Sequence, residues 1–298
     1  MASPSETVLV TGCNGFTGRH LRTHLRRAGY RVVGLSYNQT NNSDELQCDI
    51  TSPEQLDRAL ASTQPDYVIH LAAISFVTHG NVQEIYQVNL FGTLNLLDAV
   101  LRTGLRPRKT IIASSANIYG NPNIEPIGEE VCPAPVNHYG ASKLAMEHLV
   151  RTYRDRLDIT ITRPFNYTGP GQARHFLIPK IVSYFREQRR SIELGNLDVV
   201  RDFCDIRFVV DAYLELMICP AHSDVVNICS GRGIALTEII ETMNAIAGYD
   251  IEVRINPELI RRSEIKRLVG DKRRLCALIG IRPEYDIRDI LQTMYQTS

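Results

Sequence analysis

Tyr139 and Lys143 stand four residues apart in the stretch Tyr139-Gly-Ala-Ser-Lys143. On a helix that spacing sets them one turn apart on the same face. A phenol titrates near pH ~10 in water, and an ammonium a few ångströms away stabilises its phenolate and lowers that value. Such a pair can exchange a proton with a reacting oxygen near neutral pH. Standing alone, the same spacing serves equally well on a solvated helix, so the chemistry depends on the rest of the chain. A second candidate lies near the N-terminus, where Gly12, Gly15 and Gly18 form G-x-x-G-x-x-G. The β-branched run Thr7–Thr11 precedes it, and RHLRTHLRRAGY follows, with Leu21 and Leu25 at helical spacing before Gly29. Strand, glycine loop and helix together favour a dinucleotide over a packing turn. Bare backbone can approach a pyrophosphate, whose charge then rests on the helix N-terminus.

The elements that must position these groups alternate. Arg31–Ser36 reads as a second strand, Gln47-Cys-Asp49-Ile50 closes a third, and Asp66–Leu71 is a fourth. Thr110–Ser115 is a fifth strand ending in two hydroxyls, and Asp158–Thr162 is a sixth. Ser52-Pro53 starts a helix with a cap and an N1 proline, and the apolar segment Glu84–Leu101 is a helix packed on two sides. Alternation of this kind predicts an α/β fold with a doubly wound parallel sheet of Rossmann type. Ligands in such sheets sit beyond the C-terminal strand ends, which places the small-residue turn Ala72-Ala73 at the site. His70, inside the fourth strand, reads as a satisfied core histidine.

The second strand ends in Ser36-Tyr37-Asn38, with no carboxylate before Asp44. An acid there would bind a ribose 2′-hydroxyl and repel a 2′-phosphate, so this ending favours NADP(H), with NAD(H) open. Arg19 could supply positive charge to the phosphate, and reads almost equally as a solvated helix residue.

Composition excludes several classes. The 298 residues are 44% hydrophobic and 22% charged, ordinary for a globular protein with ample core. Lys plus Arg balances Asp plus Glu at 33 each, so nothing global steers the chain to nucleic acid or an anionic membrane. The seven scattered cysteines lack any Cys-x-x-Cys pair and read as reduced residues of a cytoplasmic protein. MASPSETVLV carries no signal-type apolar stretch, no run approaches membrane-spanning length, and the histidines show no metal-ligand spacing, so no metal is expected.

Taken in order, the glycine loop, HLAA at 70–73, VNLFGTLNLLDA, SSANIYG at 114–120, YGASK at 139–143, RPFNYTGPGQ at 163–172, VVRDFCDI at 199–206 and NICSG at 227–231 resemble the extended short-chain dehydrogenase/reductases. This is the NAD-dependent epimerase/dehydratase family, which acts on nucleotide sugars, and the resemblance spans essentially the whole chain. Within it, RPFN–GPGQ, the 195–203 stretch and Arg261-Arg-Ser-Glu264 before Val-Gly-Asp271 are most similar to GDP-4-keto-6-deoxy-D-mannose reductases. The resemblance implies that Ser115, Tyr139 and Lys143 are catalytic. It implies cofactor contacts from Gly12, Asn14, Gly15, Phe16, Gly18, Arg19, Ser36, Asp49, Ile50, Leu71, Ala72 and Ala73, together with Tyr139 and Lys143. Ser75, Asn117, Phe165, Asn166, Arg201, Arg261 and Glu264 would face the substrate, with the two arginines clamping phosphates.

Family dehydratases carry an acid just after the hydroxyl residue, where this chain has Ala116 and Asn117. The resemblance therefore implies NADPH-dependent reduction of a C4 ketone on a 4-keto-6-deoxy sugar. The alternative is a 4-epimerase with tightly held NAD; a 4,6-dehydratase or a non-catalytic NADP(H)-binding regulatory subunit fits less well. The chain departs from the reductases at Tyr167-Thr168, where they tend to have His-Ile, at Arg262 and at Ile281-Arg282. Residues 1–164 with about 201–232 are expected to form the dinucleotide-binding part. About 165–200 with 233–298 would form a smaller α/β substrate part, which should contain a helix near 176–190, a strand Ile251–Ile255 and a helix capped by Asp271. The family's helix pairing further implies a homodimer through 84–101 and 139–157.

Overall fold

Short β-branched runs with little polar interruption must be buried on both faces, and in the computed structural model they form a central parallel sheet. The structure describes residues 6–75, 80–221, 223–260, 265–281 and 285–297. The first six strands are β1 (Thr7–Thr11), β2 (Arg31–Ser36), β3 (Glu45–Gln47), β4 (Tyr67–His70), β5 (Lys109–Ala113) and β6 (Ile159–Pro164). Three short strands follow, β7 (Asn166–Thr168), β8 (Ser191–Leu194) and β9 (Val200–Asp205), before β10 (Val225–Ile228) returns to the sheet. The seven-stranded order is β10-β6-β5-β4-β1-β2-β3, with parallel pairing throughout. The order turns back between β1 and β4, the kind of switch point where such sheets bind ligands.

Helices cover both faces. Leu21 and Leu25 of α1 (Phe16–Arg27) pack on one face; Leu56 and Leu60 of α2 (Pro53–Thr63) pack on the other. The expected long helix at 84–101 is broken into α3 (Val82–Tyr86), a π segment (Gln87–Gly92) and α4 (Thr93–Arg102). The wide turn lets Asn89 point inward, a placement that π bulges often serve at functional sites. Helix α5 (His138–Val150) covers β5 and β6, with Asn137 accepting the Gly140 N–H at 2.8 Å as its N-cap.

A second cluster gathers α6 (Leu177–Arg186), β8 and the inward residues Val199 and Phe203. After α7 (Ile206–Ile218), which packs back on α1, the chain adds β11 (Gly233–Ala235), α8 (Leu236–Ala247), β12 (Glu252–Ile255) and β13 (Arg267–Leu268). Helices α9 (Arg273–Ile279) and α10 (Ile287–Gln296) complete it. Several strand boundaries differ from expectation, β4, β6 and β12 by one or two residues at an end, and two of the shifts bear on the site. The third strand ends at Gln47 because Cys48 leaves the ladder, and the fifth ends at Ala113, freeing both serines to turn toward the site. Asp271 accepts the Arg273 N–H at 2.9 Å, but the cap position itself is Lys272. Strand β9 pairs with β11, β13 and β7 rather than with the large sheet, and Leu275 of α9 packs against it, so the chain crosses between the two clusters repeatedly.

Beneath α5 lies a buried ion pair. Arg163 at the end of β6 gives two hydrogen bonds to the Glu147 carboxylate, at 3.0 and 2.7 Å, and one to the Tyr119 hydroxyl at 2.8 Å. Both charged groups are at most 3% exposed. Removing one partner strands the other in low dielectric, a loss of about 3–5 kcal/mol. Glu147→Ala should therefore lower the guanidinium unfolding midpoint strongly, whereas Glu252→Ala in the exposed Glu252–Arg254 pair should leave it in place. Equal midpoints for the two variants would contradict this assignment.

Candidate active site

A cleft of about 940 Å³ opens at the C-terminal ends of β1, β2, β4, β5 and β6. Its depth is set by backbone approach. Gly12 has φ +65°, and a Cβ there would stand 2.8 Å from the Ala72 nitrogen, so the loop can lie against the end of β4 only as glycine. Gly18 closes on the Gly12 carbonyl in the same way. At Gly15 a Cβ would meet just that carbonyl, at 3.2 Å, leaving open space above the backbone. Of the residues expected at the cofactor, Gly12, Asn14, Gly15, Phe16, Gly18, Arg19, Ser36, Asp49, Ile50, Leu71, Ala72 and Ala73 all line this cleft, as do Tyr139 and Lys143.

On the other wall, Ser115 caps a 3-10 turn (Ala116–Tyr119). Its oxygen accepts the Asn117 N–H at 3.2 Å and the Asn117 side-chain amide at 3.1 Å. Helix α5 brings Tyr139 and Lys143 to this turn because position 140 is glycine: a Cβ there would lie 2.7 Å from the Asn117 carbonyl. Tyr139 lies near enough to Ser115 for the serine hydroxyl to favour its phenolate, and Lys143 Nζ donates to the Ala113 carbonyl at 2.7 Å.

Burial changes the expected electrostatics. It pushes the Tyr139 phenol up to about 12, with the Ser115 hydroxyl opposing and no offset from Lys143. The lowering expected from the Tyr–Lys spacing is thus absent, since the ammonium is turned onto the Ala113 carbonyl. Burial also pulls Lys143 down to about 8, with Glu147 one turn on opposing that drop. His70 bridges Thr11 Oγ1 at 2.7 Å and Thr93 Oγ1 at 2.9 Å, the satisfied core role read from the sequence. Burial, reinforced by the Lys143 charge, drops it to about 3 and keeps it neutral.

At the outer end, Asp49 accepts the Thr51 N–H at 2.8 Å and the Thr51 hydroxyl at 2.7 Å, which fixes the lip that carries Ile50. The end of β2 carries no acid, as read, although strand pairing sets one nearby. β3 brings Glu45 beside Asn14, whose amide donates to Glu45 at 2.9 Å and to Ser36 at 3.1 Å. Burial opposes ionisation of Glu45, but hydrogen bonds from Asn14 and Arg22 prevail and hold it down at about 2. That charge is met by Arg22 at 2.6 Å, and Glu45 is not among the cleft-lining residues. Arg19 spends two of its N–H groups on the Asn14 carbonyl, at 2.7 Å, and the Gly171 carbonyl, at 3.0 Å.

Ser75, Asn117, Phe165 and Asn166 line the substrate end of the cleft. Arg201 does not. Its guanidinium donates to the carbonyls of Val200 at 3.0 Å, Lys266 at 3.1 Å and Ile265, because β9 sets it beside the segment entering β13. Arg261, Arg262 and Glu264 lie outside the described residues, as does Arg282. Three residues that were not among the expected site residues take part. Asn89 ties the Ile74 backbone to the site through bonds at 2.8 and 3.1 Å and reaches Ser142 on α5 at 3.1 Å. An amide within a largely apolar helical run was the available signal. Tyr167 lines the cleft, and Ser114 places a buried hydroxyl without a hydrogen-bond partner at its wall.

These features fit a dinucleotide: open space over Gly15, an α1 N-terminus with no side-chain cap, and the orphaned Ser114 hydroxyl. Among the described residues no helix is long and apolar enough to cross a membrane. Residues 9–294 match the family model for GDP-mannose 4,6 dehydratase. The GDP-6-deoxy-D-talose 4-dehydrogenase of Aggregatibacter actinomycetemcomitans is 36% identical over 97% of this chain and 97% of its own length. The GDP-6-deoxy-D-mannose reductase of Pseudomonas aeruginosa is 33% identical over 97% of this chain and 96% of its own. A solved structure of RMD from Pseudomonas aeruginosa complexed with NADPH superposes with a TM-score of 0.87 at 32% identity, covering 98% of each chain.

A buried Lys143 has a stability consequence whose sign is fixed. Its folded value, about 8, lies below its ordinary value of 10.5, so the unfolded chain binds more protons between those limits and stability rises with pH there. Lys143→Met should therefore melt above the parent protein at pH 7, with the gap closing as pH rises from 8 toward 10.5. A gap independent of pH in calorimetry would show that Lys143 does not titrate in this way.

Proposed function

The chain belongs to the GDP-mannose 4,6-dehydratase family of extended short-chain dehydrogenase/reductases, and we propose that within it the protein is an NADPH-dependent reductase of nucleotide-linked 4-keto-6-deoxy sugars. The observation that carries this reading is the surroundings of Ser115. Dehydration must remove a proton at the sugar C5 and expel the C6 hydroxyl, which calls for a second acid and base beside the ketone. Ala116 is buried there, and the Asn117 amide is held on Ser115. Among the described residues lining the cleft the carboxylates are Asp49, engaged with Thr51, and Glu84, exposed on α3. Ketone reduction needs neither.

Bound in the cleft, NADPH would supply the hydride. The protein's part is to receive the developing charge. Tyr139, held protonated by burial, gives its proton to an alkoxide, which is a stronger base than a phenolate. Ser115 and the Lys143 ammonium add a hydrogen bond and positive charge that are in place before reaction. The same burial weighs against a 4-epimerase, whose first step removes a proton from the C4 hydroxyl and needs a phenol that ionises easily. The carboxylate of Glu45 is no obstacle to a 2′-phosphate in this proposal, since Arg22 and Asn14 screen it, and NAD(H) stays open as a second cofactor.

The two relatives supply the substrate. 6-Deoxymannose and 6-deoxytalose differ at C4 alone, so the reading is GDP-4-keto-6-deoxy-D-mannose reduced to GDP-D-rhamnose or to its C4 epimer, according to the face presented. Phe165, Asn166, Asn117 and Ser75 would hold the sugar, and Arg261 and Glu264 the nucleotide. Arg201 is better read as bracing the Ile265–Lys266 backbone. Residues 1–164 with about 201–232 would bind the dinucleotide and the remainder the nucleotide sugar. Exposed Phe91 on the π segment and Leu149 on α5 support a homodimer through these helices, and we place the enzyme in the cytoplasm.

Tyr139→Phe should reduce turnover of the ketosugar by about 10²–10⁴-fold, the range for loss of a positioned proton donor, while the NADPH dissociation constant stays within about twofold. Retained turnover, followed by NADPH absorbance, would overturn the assignment.

A further inference from the structure

Three side chains on the first turns of α1 reach the segment that follows Asn166. The Thr17 and Tyr167 hydroxyls are 2.8 Å apart, Arg19 donates to the Gly171 carbonyl at 3.0 Å, and His20 Nε2 donates to the Pro170 carbonyl at 2.9 Å. Phe16 lies parallel to Tyr167 with ring centroids 6.1 Å apart, and His20 meets Phe16 edge-on at 5.2 Å. The helix that carries the glycine loop is thus clasped to the strand that carries Asn166. Tyr167 lines the cleft, as do Phe16, Thr17 and Arg19, and stands close enough to Tyr139 to act on its phenol electrostatically. It is also one of the positions where this chain departs from the reductases it resembles.

We propose that Tyr167 is a positioning residue. Through its hydroxyl on Thr17 and its ring on Phe16, it fixes the distance between the glycine-loop helix and the Phe165–Asn166 wall, and so holds the sugar C4 in register with Tyr139. This deepens the reductase reading and rests on it. The physical reason is geometric. Strand β7 is three residues long and pairs with β9 alone among the described strands, so beyond that one ladder its position rests on side-chain contacts, of which the Tyr167 clasp is the one that reaches α1. A wall displaced by an ångström costs rate even when every ligand contact remains possible.

Tyr167→Phe removes the hydroxyl and keeps the stacked ring; Thr17→Val removes the same hydrogen bond from the other side. Each should lower kcat for the ketosugar about tenfold, with NADPH affinity, read from the fluorescence of bound NADPH, within about twofold of the parent. The double variant should match either single one, because both remove one interaction. Backbone amides of residues 166–172 should exchange with deuterium faster in all three. Unchanged kcat, additive losses, or a tenfold weakening of NADPH in step with kcat would overturn the proposal. If the parent protein turns over no 4-keto-6-deoxy sugar, the reductase reading fails, and the exchange comparison alone decides whether the clasp holds the wall.

Discussion

Everything in the cleft depends on α5 lying close enough to the end of β5 for Lys143 to reach the Ala113 carbonyl and Tyr139 to reach Ser115. A helix and a strand end come that near only when nothing stands between them. Gly140 provides the room, because any side chain would press on the Asn117 carbonyl. Three polar anchors then fix the height and rotation of the helix: the Asn137 cap, the Asn89–Ser142 bond and the Glu147–Arg163 pair. Each satisfies groups that would be costly to bury unpaired, so each resists displacement. The catalytic geometry is a by-product of satisfying buried hydrogen bonds.

The same closeness sets the direction of the chemistry. Packing the phenol against the end of β5 desolvates it, which disfavours the phenolate and keeps the proton available for donation. The ammonium of Lys143 is likewise disfavoured by burial, and one turn further along Glu147 restores part of what burial removes. A site meant to take a proton from an alcohol would need the opposite arrangement, with the charged form of the phenol favoured. Reduction and oxidation share these residues, and the protonated phenol that burial favours is the form that reduction uses.

Much of this was legible in the sequence because the informative residues act locally. The glycine loop, the six strands read before residue 165 and the Tyr–Lys spacing each depend on residues a few positions apart, and each is present in the structure, the strands with shifted ends. What could not be read arises from pairing across distance. Glu45 pairs with Gly34 in the β2–β3 ladder and is bridged to Ser36 by the Asn14 amide, a neighbour that reading along one strand does not reveal. Arg201 carries the right charge for a phosphate clamp, yet β9 sets it against the backbone of residues 265–266. The Tyr–Lys spacing correctly placed both groups on one face but said nothing of where the ammonium turns, and so predicted a lowered phenol where burial raises it. The π segment left no composition signal beyond Asn89, an amide in an apolar run whose purpose appears only when the 71–75 loop is seen against it.

The central claim is that the cleft reduces a C4 ketone and does no dehydration. It is tested most directly by supplying GDP-4-keto-6-deoxy-D-mannose with NADPH and following absorbance, with NMR of the sugar product. Stoichiometric NADPH oxidation yielding a GDP-6-deoxyhexose with a C4 hydroxyl is the expected result. No oxidation of NADPH, with GDP-mannose instead converted to its 4-keto-6-deoxy form or NAD retained through purification, would contradict it.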